Sequence, residues 1–300
     1  MATSDLTARQ SVGFAWQHYY ELTKPKVVLL IAFTALVGML LSKQGIVPWQ
    51  PMLFGLLGIS LAAACGAVVN HIVDQRIDKM MDRTQRRPIP SGHMDSQHAG
   101  SFALLLGTIS ISMLYFLVNP LTALLTFLAL IGYALIYTRF LKRSTPQNIV
   151  WGGLAGAAPP LLGWAAITGE VTIEAFLLML IIFVWTPPHF WPLAIHRRDD
   201  YAKADIPMLP VTHGVDFTKQ QILIYSIMLV AVTLLPFVVH MSGYLYLSGA
   251  IVLGIGFIYH AVKLLQSPGR THAMKTFGYS ILYLSLLFTL LLADHYIRLI

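Results

Sequence analysis

The chain has 300 residues, 56% of them hydrophobic and only 11% charged, with a formal net charge of +7. A soluble domain carries roughly 25% charged residues, so this composition excludes a water-solvated globule and places the chain in a bilayer. A single cysteine, Cys65, excludes an internal disulfide framework.

A spanning helix needs about 20 apolar residues. Nine such segments are predicted in chain order, at 27–43, 51–71, 99–118, 121–139, 149–167, 173–193, 221–240, 244–264 and 277–297. The expected class is an all-α polytopic membrane protein, nine transmembrane helices in one bundle, forming one integral-membrane domain over 1–300. A Val118-Asn119-Pro120 turn separates the third segment from the fourth. The first apolar run begins late and lacks a small-residue cleavage site, so it reads as an uncleaved helix.

Loop charge predicts orientation. With the N-terminus in the cytoplasm, 18 lysines and arginines, from Arg9 to Lys275, fall in inside segments, and only Lys43 and Arg298 fall outside. That asymmetry accounts for the basic balance without any nucleic acid.

Eight of the 13 acids lie in two inside loops. Asp74, Asp78, Asp82 and Asp95 follow the second segment; Asp199, Asp200, Asp205 and Asp216 follow the sixth. Asn70, Asp74, Asp78 and Asp82 are spaced four apart, which on an α-helix makes one slowly turning stripe. At a rise of about 1.5 Å per residue, Asn70 and Asp78 stand about 12 Å apart along the axis. One magnesium ion, with ligands at about 2.1 Å, cannot touch both ends. The stripe suits one or two ions bridged by a polyanion such as a diphosphate. Arg76, Lys79, Arg83, Arg86 and Arg87 interleave with it, as a phosphate-bearing ligand requires. The competing reading is a solvated helix end with i,i+4 salt bridges. Asn70 weighs against that, because it lies inside the apolar run, where polar groups are costly.

The second stretch, 187–210, mixes proline, imidazole, acid and base. If a helix continues past Pro192, His189, His196 and Asp200 share a face. Pro192, close after Pro187 and Pro188, instead suggests a break and restart. Both acidic stretches end near an Ile-Pro pair, Ile89-Pro90 and Ile206-Pro207, a hint of an internal repeat.

The Asn70-x3-Asp74-x3-Asp78 motif, the later acidic stretch and the nine-helix layout resemble the intramembrane aromatic prenyltransferase superfamily. The run Asp82-Arg83-Thr84-Gln85-Arg86-Arg87-Pro88-Ile89-Pro90-Ser91-Gly92 resembles its haem-farnesylating branch. So do Pro187-Pro188-His189-Phe190-Trp191 and Asp199-Asp200-Tyr201 with Ile206-Pro207-Met208-Leu209-Pro210. His189 and His196 stand where the quinone-pathway relatives tend to have carboxylates. The resemblance implies a magnesium-dependent enzyme of the bacterial inner membrane, its site facing the cytoplasm. It implies transfer of a farnesyl group from farnesyl diphosphate to the 2-vinyl group of haem B, with water addition, giving haem O for terminal oxidases. Haem A synthase or a terminal oxidase assembly are the implied protein partners.

The roles that follow place Asn70, Asp74, Asp78 and Asp200 on magnesium, with Asp199 as a further catalytic carboxylate. Lys24, Lys79, Arg83, Arg87, Lys142 and Arg197 are the candidate diphosphate clamps, and His189 and His196 the candidates to orient haem. Tyr133, Tyr137, Trp151 and Trp164 are candidates to shield a carbocation, and Gly152, Gly153 and Gly156 fit close helix packing. Two alternatives stay open. One is a prenyltransferase with a quinone-type aromatic acceptor. The other is a transporter, whose ionisable residues should sit mid-helix, not at one end.

Overall fold

The computed structural model describes residues 16–298; Arg9 and the start of the chain lie outside them. All regular structure among the described residues is helical: α1 (Trp16–Leu22), α2 (Pro25–Leu41), α3 (Trp49–Asp78), α4 (Ser96–Leu117), α5 (Pro120–Ser144), α6 (Asn148–Thr168), α7 (Ile173–His196), α8 (Arg198–Lys203), α9 (Leu209–Thr212), α10 (Val215–Val238), α11 (Tyr244–Gln266) and α12 (Ala273–Ile297). In hydrocarbon every backbone N–H and C=O must be satisfied within its own segment, which selects helices. Among the described residues eight helices are long and apolar enough to cross a membrane. The pair α1 and α2, bent by 51° at its break, makes a ninth if counted as one span.

Most helix ends agree with the predicted segments to within four residues, but α5 ends five residues later and α10 begins six residues earlier than expected, and one further difference is consequential. α3 runs for 30 residues to Asp78, where the segment was expected to end at 71. At about 1.5 Å per residue it is about 45 Å long, well beyond a hydrocarbon core of about 30 Å. Its last turns carry Asp74 and Asp78 beyond the predicted apolar segment while remaining helical.

Local chemistry explains the other joints. Asn119 caps α5 by accepting from Thr122 N at 2.8 Å, and its Nδ2 donates to Ala165 O at 2.9 Å, tying the turn to α6. α2 and α6 cross with backbones in contact. A Cβ on Gly38 would lie 2.0 Å from Pro160 O, and one on Gly163 2.0 Å from Ala35 O, so only glycine permits this approach. The suggested break at Pro192 is corrected: α7 runs unbroken through Pro187, Pro188 and Pro192. Spanning helices tolerate proline because the surrounding bundle and local adjustments offset the freed carbonyls, here those of Phe183, Val184 and Pro188. In α5 the turns over Gly132–Leu141 widen to a π-helix. There Thr138 Oγ1 donates to Tyr133 O, five residues back, at 2.8 Å.

One apolar cluster joins Ile77 and Met81, from the end of α3, to Trp191, Ile195, Tyr201, Ile206 and Leu209. The two acid-bearing stretches, far apart in sequence, thus share one floor at one end of the bundle.

Candidate active site

The end of α3 buries Asn70, Asp74 and Asp78 on one face. A buried carboxylate persists only with partners, and each of these has one brought from elsewhere in the chain. Asn70 Nδ2 and Lys142 Nζ, from the end of α5, both donate to Asp74 Oδ2, at 2.8 and 2.5 Å. Lys24 Nζ donates to Asn70 Oδ1. Lys24 sits at the α1–α2 break with φ 51°, a left-handed conformation immediately before Pro25 that ends one helix and aims the next. Arg87 Nη1 donates to Asp78 Oδ2 at 2.7 Å. The chain doubles back after Asp78 to present it: Thr84 Oγ1 donates to Asp78 O at 3.1 Å, and Arg87 N to Thr84 O at 3.0 Å.

Asp74 Oδ1 is buried without a hydrogen-bond partner. A hard cation is the kind of group that satisfies such an oxygen, and magnesium takes one or two carboxylates and completes its shell with phosphate and water. The donor set fits that role. Among the described residues no three His, Cys, Asp or Glu side chains come together as a closed metal cage, so a ligand must supply the remaining oxygens. Asp82, Lys79 and Arg83 lie beyond α3 and are exposed, and Arg76 is exposed on α3 itself.

The second stretch splits in two. Asp200 is half-buried, with Arg197 Nη1 3.7 Å from its Oδ2, and that oxygen has no hydrogen bond. Asp199 turns outward and binds Arg270 through two hydrogen bonds, 2.7 and 2.8 Å. Those bonds hold its carboxyl below the usual carboxylate range. His189 lies between α7 and α12, stacked on Trp185 at 4.0 Å and Phe277 at 4.7 Å, with Ser280 Oγ 2.7 Å from its Nδ1. His196 is exposed at the end of α7, so the two histidines and Asp200 do not form one face.

Two residues passed over by the spacing argument join the site. Tyr201 is buried within electrostatic reach of Arg83, Asp200, Arg197 and Arg87, and burial raises its phenol. It connects the second stretch to the α3 face. His71 is buried with neither ring nitrogen hydrogen-bonded, within reach of Lys24 and Arg87. It stands one position off the stripe, so a four-residue period skips it. Tyr201 adjoins Asp199-Asp200, which was the available signal.

Aromatic rings border the same face. Tyr133 and Tyr137 stack at 5.7 Å with an interplanar angle of 23°, both within reach of Asp74. Two glycines make room for them: a Cβ on Gly66 would lie 3.1 Å from Tyr133, and one on Gly152 2.1 Å from Tyr137. Gly153 abuts Thr186, whereas a Cβ on Gly156 would meet open space. Trp164 is buried in the bundle core away from this face, and Trp151 is exposed on the outer surface.

The sequence profile described as "UbiA prenyltransferase family" matches residues 31–289. The chain is 63% identical over 298 residues to a protoheme IX farnesyltransferase from Thioalkalivibrio sulfidiphilus, covering 99% of each chain. It is 59% identical over 282 residues to one from Nitrosococcus oceani, covering 94% of each. Among solved structures, a digeranylgeranylglyceryl phosphate synthase superposes with a TM-score of 0.79 at 20% identity, over 93% of this chain and 98% of that one. A UbiA homolog from Archaeoglobus fulgidus, bound to DMAPP and Mg2+, gives 0.63 at 17% identity, over 91% and 98%.

Proposed function

Because the chain belongs to the UbiA prenyltransferase family, we propose that its buried Asn70–Asp74–Asp78 face receives the diphosphate of farnesyl diphosphate and that haem B is the acceptor. The chain is a multi-pass membrane prenyltransferase, and its relatives at 55–63% identity carry the haem-farnesylating name. They favour neither the quinone-type acceptor nor the transporter. One observation carries the site assignment: two buried carboxylates are each held by a cation, Asp74 by Lys142 from the end of α5 and Asp78 by Arg87 from the loop just after α3, and one carboxylate oxygen is left unpaired.

The residues divide the work as follows. Asn70, Asp74, Asp78 and Asp200 would hold magnesium, which supplies positive charge to the departing diphosphate. Lys24, Lys142 and Arg87 already sit on this face and turn from the acids to the phosphate oxygens when substrate arrives. Exposed Lys79 and Arg83 and half-buried Arg197 add further donors, and Asp199, tied to Arg270, holds the loop that carries Asp200. The allylic C–O bond breaks and diphosphate leaves with the electron pair. The 2-vinyl π electrons of haem B bond to the farnesyl carbon, and water adds to the resulting cation and gives up a proton. Tyr133 and Tyr137 present ring faces suited to an allylic cation. His196, exposed beside Arg197, and His189, held between Trp185 and Phe277, are the candidate haem contacts.

We further infer one domain over 1–300, an N-terminus in the cytoplasm of a bacterial inner membrane, and a site on the cytoplasmic side. The loop charges support this, and the site lies where a soluble diphosphate and a lipid-soluble tail can both arrive. Haem A synthase or a terminal oxidase assembly would then receive the product. Membranes containing the chain, given haem B, farnesyl diphosphate and magnesium, should form haem O. Prenylation of an aromatic acid instead, with no haem O, would refute the acceptor.

A further inference from the structure

On the opposite side of α3 from the acids, a cavity of about 330 Å³ is lined by Ile72, Val73, Gln75, Arg76, Arg139 and Arg143. It lies between the ends of α3 and α5, back to back with the candidate active site. Successive residues of α5 reach successive residues of α3 in opposite directions. Arg143 Nη2 donates to Val73 O at 3.1 Å on the cavity side, and Lys142 Nζ to Asp74 Oδ2 at 2.5 Å on the other.

Its three arginines are exposed, and among the described residues none of them pairs with a carboxylate. Gln75 is held by Ser96, whose Oγ donates to its Oε1 at 3.1 Å. Three converging guanidinium groups without a counter-ion repel one another, and an anion brought from outside relieves that. Just along α5, Leu135, Ile136 and Phe140 are large, apolar and exposed, as residues facing acyl chains are. A basic cavity between spanning helices, opening beside such a surface, has the chemistry of an anionic headgroup site. Arginine is the residue suited to a phosphate, because its planar fork binds two oxygens at once.

We propose that Arg76, Arg139 and Arg143 bind the phosphate of an anionic phospholipid whose acyl chains lie along the outer face of α5. The test uses the full chain in nanodiscs of mixed phosphatidylglycerol and phosphatidylcholine, with retained lipid read by native mass spectrometry. Wild-type protein should retain phosphatidylglycerol selectively. Each guanidinium removed should weaken retention about fivefold, and Arg76→Gln/Arg139→Gln/Arg143→Gln roughly a hundredfold. The corresponding triple lysine variant should recover binding only in part, because lysine keeps the charge but lacks the planar fork. If the triple glutamine variant does not fold, Arg139→Gln alone carries the test. Equal retention by wild type and the glutamine variants overturns the proposal. So does displacement of the lipid by millimolar inorganic phosphate, which would assign the cavity to free phosphate.

Discussion

Gly152→Ala tests whether the tyrosine pair beside Asp74 is part of the catalytic surface. The new Cβ would stand 2.1 Å from Tyr137 Cδ2 and 2.3 Å from Cε2. Ordinary contact begins near 3.4 Å, so the ring must retreat by roughly 1.3 Å. Overpacking of this kind costs about 1–3 kcal/mol of stability. A displacement of about 1 Å at a reacting centre costs about 10²-fold in rate. Haem O formation in nanodiscs, followed by chromatography of the extracted haem, should therefore fall about a hundredfold, mainly in kcat. Gly156→Ala is the matched control, because a Cβ there meets nothing within 4 Å, and it should behave as wild type. In a Tyr137→Ala background the clash is gone, so Gly152→Ala should add little further loss. A Gly152→Ala enzyme at full rate, or a loss that persists undiminished without the Tyr137 ring, would refute the reasoning.

Asp74→Asn removes the charge that engages Lys142, and haem O formation should drop by 10²–10³-fold while membrane insertion, read by protease mapping, stays intact. Arg87→Gln strands Asp78, whose side chain is 4% exposed. An unpartnered buried carboxylate costs about 3–5 kcal/mol, so the melting temperature of the solubilised protein should fall clearly. The Asp199–Arg270 pair predicts a pH dependence. Because the folded carboxyl is held below its ordinary value by Arg270, its contribution is present above the unfolded pKa of about 3.9. It is lost as pH falls through the folded value. Arg270→Gln should speed protease nicking after α7 at neutral pH, and the two proteins should converge in acid; a difference that persists in acid would count against the pair as its cause.

The membrane class, the series of apolar helices and the Asn/Asp stripe follow from composition, apolar run length and a four-residue period, because each is local along the chain. Asn70, Asp74 and Asp78 could be put on one face from spacing alone, since helix geometry is the same wherever the helix sits. Their partners could not. Lys24 and Lys142 come from other helices, and which of them meets Asn70 or Asp74 depends on how helices cross, set at places such as Gly38 and Gly163, while Arg87 reaches Asp78 from the loop that folds back just after α3. Position 192 shows the limit from the other side: proline breaks helices in water, yet α7 passes through three of them within the bundle. His71 and Tyr201 were invisible to any period because they enter the site through burial, not register. The outward turn of Asp199 beside the inward Asp200 is likewise a tertiary decision, made by where Arg270 stands. Sequence carries what one helix does by itself; only packing decides which helices face each other.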